Sequence, residues 1–270
     1  MNGILSYTFM QNALAVSVLA SIAAGIMGTL VTVNRMSALA GSIAHASFGG
    51  LGLAYAAGFD PLAGATGFAV LSSLGIAAIS SSSSRRSGTA MAAVWATGMA
   101  TGLVFIKLSG TYAADLMSWL FGSLLAVSSR DILYAGALDV VVLLVVTVFY
   151  KEFLAVSYDG QFSRLQGVPV NLFRIVFLVL TALTAVLLMR VTGLIMVIAM
   201  LSIPPAIAEM FTGSLRRMMV LSSALAAVFS VSGLLLATVL DLPPGAVIIL
   251  ISALCYTVAL LVDRARSARA

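Results

Sequence analysis

Histidine occurs once in this 270-residue chain, at position 45. It sits within an apolar stretch, Ser37 to Ala57, that reads SALAGSIAHASFGGLGLAYAA and is long enough to cross a bilayer. At helical spacing Gly41, His45 and Gly49 share one face. Small residues at that spacing let neighbouring helices approach closely in lipid. The imidazole on that face should therefore look into a bundle or a cavity. An ionisable group within a membrane is a candidate for transport or ligand binding. Packing alone would also account for the small residues, and a hydrogen-bonded core role for the histidine. Both readings stand at this point.

A second candidate centre is the segment MVIAMLSIPPAIAEMFTGS, which carries Glu209. Pro204 and Pro205 lack backbone donors, so the carbonyls of Met200 and Leu201 lose their helical partners. A broken helix is tolerated in a membrane where it packs in protein or lines a wet cavity. Free carbonyls one turn from a carboxylate could contact a cation. A kink that only shapes the bundle, with Glu209 paired to Arg216 or Arg217, is the plainer reading. Asp139, in ALDVVVLLVV, either belongs to a path through the membrane or marks the outer end of its helix. Asp60, Asp115, Asp131 and Asp241 are expected to be solvated outer residues, forming an acidic rim.

Composition narrows what these groups can serve. The chain is 61 % hydrophobic and 9 % charged, where soluble domains carry about 25 % charged residues. Apolar runs recur from end to end, which excludes a single membrane anchor. The net charge of +5 does not point to nucleic acid, because the basic residues lie at helix ends and form no single patch. Cys255 is alone, so no internal disulfide and no multi-cysteine metal site is possible. The thirteen methionines are scattered, which argues for packing over soft-metal binding. No GxxxxGK[ST] occurs, so this chain is not expected to hydrolyse ATP itself. No hydrolase arrangement or multi-histidine zinc site is visible either. The first residues lack a basic n-region, so the first apolar run is expected to be retained as a span.

The elements that must position these groups are all helical. The pattern predicts an all-α, polytopic membrane helix bundle of about eight or nine crossings. Their approximate bounds are Met10 to Val33, Ser37 to Ala57, Pro61 to Ile79, Ala90 to Ile106, Leu133 to Phe149, Leu172 to Leu188, Gly193 to Met210, Val220 to Val239 and Ala246 to Val262. With the N-terminus outside and the C-terminus cytoplasmic, only Lys107, Arg130 and Arg190 of the fourteen basic residues fall outside. Three connections stand out. Ser80 to Arg86 reads as a polar inner turn. Ser109 to Arg130 reads as an outer segment too short for a comfortable crossing, hence re-entrant or interfacial. Tyr150 to Val170 is the longest and most charged inner loop, with room for a short amphipathic helix.

Several segments, in order, resemble one known family. Asn34-Arg35-Met36-Ser37 leading into Gly41-Ser42-Ile43-Ala44-His45-Ala46 resembles the "RRM…GDaisHA" signature of the permeases of ABC-class zinc, manganese and iron importers. Leu120 to Leu125 resembles their outer "LFG" segment, with Asp131 following. Asp159 with Gly167 resembles their inner "D…A…G" loop. Ile203 to Ala208 resembles their "PAAtA" kink, and Asp241 to Ala246 their "D.PtGA" segment.

The resemblance implies one transmembrane permease domain over residues 1–270, working as a homodimer in a bacterial cytoplasmic (inner) membrane. It implies a cytoplasmic ABC ATPase dimer docked on the inner loops and an extracytoplasmic substrate-binding protein. ATP would be bound by the partner subunit, and the divalent metal would be substrate. The loop at about 150–170, with Asp159 and Gly167, becomes the coupling element. Three departures accompany it: Ser42 where the family usually has an aspartate, Ser163 where it has alanine, and Glu209 where many relatives have no acid. Serine is a poorer ligand for zinc or manganese than a carboxylate. The expected path is therefore His45, Ser42 and Glu209, with Asp139, Met200 and Leu201 as further possible members. A metal chelate or other small solute is the alternative cargo. An ion-coupled secondary transporter relaying protons through Asp139 and Glu209 is the alternative mechanism. A lipid-modifying enzyme would need an interfacial catalytic cluster, and the sequence offers none.

Overall fold

The structure is a computed structural model and describes residues 7–80, 84–110, 119–120, 122, 124 and 127–267; side chains are described for all of these except 80, 84–87 and 267. Among the described residues there are helices and no strands. We number them α1 (Thr8–Val33), α2 (Ser37–Ala57), α3 (Pro61–Ser80), α4 (Ser84–Ser109), α5 (Ser129–Val148), α6 (Tyr150–Tyr158), α7 (Gly160–Leu165), α8 (Val170–Thr192), α9 (Leu194–Phe211), α10 (Leu215–Leu240) and α11 (Pro244–Ser267). Eight of them are long and apolar enough to cross a membrane. The exception among the long helices is α2, whose 21 residues suffice for length but whose glycines, serines and His45 make it less apolar.

The boundaries follow local chemistry. Arg35 takes a left-handed conformation (φ 55°), and the amides of Asn34 and Met36 bond back to the last turn of α1. Gly58 (φ 72°) ends α2. The Asp60 carboxylate then accepts the Ala63 amide at 3.0 Å, and Pro61 opens α3. Gly193 (φ 88°) alone separates α8 from α9. Ser128 and Asp131 form a capping box at the start of α5.

The helices form two groups joined by α8 and by the packing of α9 on α2. In one, α2 is clasped between α3 and α4. In the other, α1 packs on α10, α9 and α5, and α11 covers α9 and α10. Helix α8 touches α1, α2, α3, α5 and α9. Within the first group the packing is backbone on backbone. A Cβ at Gly50 would strike the Gly64 carbonyl, and one at Gly52 the Gly102 carbonyl.

Serine and threonine hydroxyls in the bundle mostly bond back to a carbonyl of their own helix. Ser17, Ser21, Thr29, Thr181, Thr184 and Thr192 all donate to the carbonyl four residues earlier. Bonds between helices are fewer, such as Ser21 to Ser230 at 3.4 Å and Asn34 to Ser157 at 3.0 Å.

Three expectations are corrected here. The inner loop holds two short helices instead of one, because Asp159 breaks α6 and caps α7, its carboxylate accepting the amides of Gln161 and Phe162. Asp139 does not mark a helix end: α5 starts at Ser129, so Asp139 lies mid-helix. Asp131 is 6 % exposed, not a solvated rim residue, because it serves both the cap and an ion pair with Arg190. Asp60 and Asp241 are exposed as expected. Asp115 and most of the Ser109 to Arg130 segment lie outside the described residues.

Candidate functional site

Helix α2 carries the site. From Leu39 to Gly52 every residue is buried except His45, which is half-buried. The imidazole stacks on the indole of Trp95 in α4, with ring centroids 4.6 Å apart and planes 23° apart. Trp95 is itself 45 % exposed. The indole therefore covers one ring face at the edge of the α2–α4 pair. Nδ1 of His45 is shut in without a hydrogen-bond partner, while Nε2 is not among the shut-in atoms. The stacking fixes the plane of the imidazole and leaves its ring nitrogens uncommitted.

The neighbouring glycines have a different role. A Cβ at Gly41 would meet Ile198 of α9, and one at Gly49 would meet Phe68 and Thr101. The Gly41-His45-Gly49 stripe thus touches several helices, and only its centre is open.

Ser42 is 2 % exposed, and its hydroxyl donates to the Ala38 carbonyl at 2.8 Å. Its hydrogen is used within α2. Ser47 contacts the sulfur of Met189 in α8 at 3.3 Å. Among the described residues no group of three or more His, Cys, Asp or Glu side chains gathers around a possible metal position.

Glu209 is exposed at the end of α9 and lines a separate cavity of about 560 Å3, with Asn34, Arg35, Ser157 and Tyr158. No α2 residue lines that cavity. Glu209 and His45 are therefore not brought together. Both prolines lie within a continuous α9. The freed Leu201 carbonyl lies against Gly28 of α1, so closely that any side chain at position 28 would collide with it. Met200 and Leu201 are buried. Asp139 is 4 % exposed, and its carboxylate oxygens, turned toward Ala23 of α1, have no hydrogen-bond partner within good geometry.

Two further features sit at opposite ends of the helices, a cavity and an ion pair. Asp159 and Gly160 line one of about 470 Å3, together with Arg164 and Arg174. At the opposite end, Arg190 contacts the Asp131 carboxylate at 3.1 Å and lies 5.1 Å from the Trp119 ring. Sequence reasoning missed both tryptophan contacts. That each of only two tryptophans covers a nitrogen-bearing side chain was not readable from spacing, because the partners lie on different helices.

Comparison with known proteins gives a consistent set of likenesses. The family model for the ABC 3 transport family matches residues 6–263. A membrane protein of Synechocystis without an assigned role is 40 % identical over 256 residues, covering 95 % of this chain and 91 % of that one. The manganese transport system membrane protein MntC of Listeria monocytogenes is 31 % identical, covering 97 % of this chain and 93 % of its own. Among solved structures, PsaBC from Streptococcus pneumoniae in complex with Fab superposes with a TM-score of 0.86 at 31 % identity, covering 96 % of this chain and 93 % of that one.

Proposed function

The chain belongs to the ABC 3 transport family, and from that premise we propose that it is the multi-pass permease of an ATP-driven importer whose cargo is a divalent transition metal, with manganese the first candidate. The observation that carries this reading is the opening at His45, the one break in the buried stretch of α2 from Leu39 to Gly52. His45 offers the cargo a single nitrogen donor beside Trp95. One donor binds weakly, which suits a path that must release what it takes up. Ser42 assists only if its hydroxyl turns away from Ala38.

In this reading the end carrying Glu209 faces the cytoplasm, which the excess of Lys and Arg there supports. Glu209 then lines the exit rather than the central site. Helices α6 and α7 are the surface for an ATPase dimer, with Asp159 holding the break between them and Gly167 (φ 83°) the turn after them. ATP binding and hydrolysis in that partner bias two arrangements of a permease homodimer. A soluble binding protein delivers cargo at the Arg190 end.

The test is uptake of radiolabelled Mn2+, Zn2+ and Fe2+ into cells expressing the chain with its ATPase and binding protein. Replacing His45 with alanine is expected to lower uptake of one metal by about tenfold or more while the assembly stays intact. Unchanged uptake removes His45 from the path. No uptake of any free metal by an assembled complex moves the cargo to a chelate.

A further inference from the structure

The transport reading leaves one large groove unused. It has a volume of about 580 Å3 and lies between α1, α5 and α10. None of its lining residues belongs to α2, α3 or α4. Its walls are Ile22, Ile26, Leu143, Val146, Met219 and Val220. Val220 is 66 % exposed and the adjacent Leu144 58 %, so the mouth opens on the face that lipid surrounds.

One end of the groove is polar. Tyr150 and Arg216 stand there, where α5 gives way to α6 and α10 begins. The Arg216 amide donates to the Tyr150 hydroxyl at 3.1 Å, so the phenol hydrogen remains to donate elsewhere. Among the described residues no carboxylate pairs with the Arg216 guanidinium, and none lines the groove. Lys151 and Arg217 follow Tyr150 and Arg216 in sequence, both exposed. The groove follows α10 from Arg216 to Ser223, and a helix rises about 1.5 Å per residue, so it runs about 10 Å. One leaflet of hydrocarbon is about 15 Å deep.

We propose that this groove binds an anionic phospholipid, one acyl chain lying along α1, α5 and α10 and the phosphate held by Arg216 and the Tyr150 hydroxyl. The charge argument selects the headgroup: an unpaired guanidinium with a free hydroxyl donor beside it matches a phosphate ester. The walls select the tail, since they are apolar and reach well below the interface. A soluble protein docking from the aqueous side covers Arg216 but leaves those walls unfilled.

The test is native mass spectrometry of the full chain, released from micelles containing equal amounts of phosphatidylglycerol and phosphatidylcholine with the same acyl chains. One retained phosphatidylglycerol per chain is expected. Arg216→Ala should weaken its retention about fivefold, Arg216→Lys should restore most of it, and Val220→Trp should expel the lipid by filling the groove. Thermal melting of each variant without added lipid confirms that it is folded. Equal retention of the two lipids, or unchanged retention in Arg216→Ala, overturns the proposal. So does thermal stabilisation by inorganic phosphate alone, which would make the site an anion site without a tail. Disulfide-linked pairs formed through Val220→Cys would give the groove to a second copy of the chain and overturn it as well.

Discussion

At the Arg190 end of the bundle, Asp131 is held from two sides. Its carboxylate accepts the Ser128 amide and hydroxyl at 2.9 and 2.8 Å and meets Arg190 at 3.1 Å, and Arg190 lies against Trp119. At the Glu209 end, cavities of about 470 and 560 Å3 contain Arg35, Asp159, Arg164, Arg174 and Glu209, and no ion pair among the described residues joins them. One end is cross-braced, α5 to α8, by a buried acid and its cation. The other keeps its charges apart and wet. The two ends therefore differ in how firmly they are held, one by a buried ion pair and the other by none among the described residues.

Four substitutions test that contrast, in falling order of effect. Asp131→Ala removes the capping box and the ion-pair partner together, and should cost about 3 kcal/mol in thermal unfolding of the purified chain. Arg190→Ala should cost about 1–2 kcal/mol, a value reduced because that side chain is 36 % exposed and partly screened. It should also shift the emission of Trp119. At the open end, Asn34→Ala loses bonds to the Leu30 carbonyl and to Ser157, which should cost about 1 kcal/mol. Glu209→Gln should change stability by less than about 0.5 kcal/mol, and any loss of metal uptake it shows would then belong to transport. If Asp131→Ala melts no earlier than Glu209→Gln, the two ends are equally held and the contrast is gone.

Much of this bundle was legible from hydropathy and breakers. Gly58 through Pro61, Gly193, Gly213 and Asp241 through Pro244 punctuate the apolar runs, and the helices end there. The fifth helix was placed four residues late, because Ser128 and Asp131 look like loop until the capping box is seen. What was not legible depends on partners far away in the chain. Asp131 is buried because Arg190, 59 residues later, comes to it. His45 was singled out by being the sole histidine, but its stacking on Trp95 required knowing that α2 and α4 lie side by side. Glu209 was grouped with His45 because both are polar in apolar runs. Helix α9 instead places Glu209 in a different cavity, which no α2 residue lines.

The hydroxyls that bond within their own helices carry a consequence for how the protein is made. Ser17, Thr29, Thr181, Thr184 and Thr192 have their donors satisfied before any neighbour arrives. Each of these hydroxyls can enter lipid without an unmet polar hydrogen, so it needs no neighbouring helix to satisfy it. The exceptions among the described residues are His45, Tyr134, Asp139, Ser202 and Ser222, each with a buried polar atom that has no hydrogen-bond partner. Their helices, α2, α5, α9 and α10, are the ones that depend on packed neighbours to shelter a polar atom from lipid.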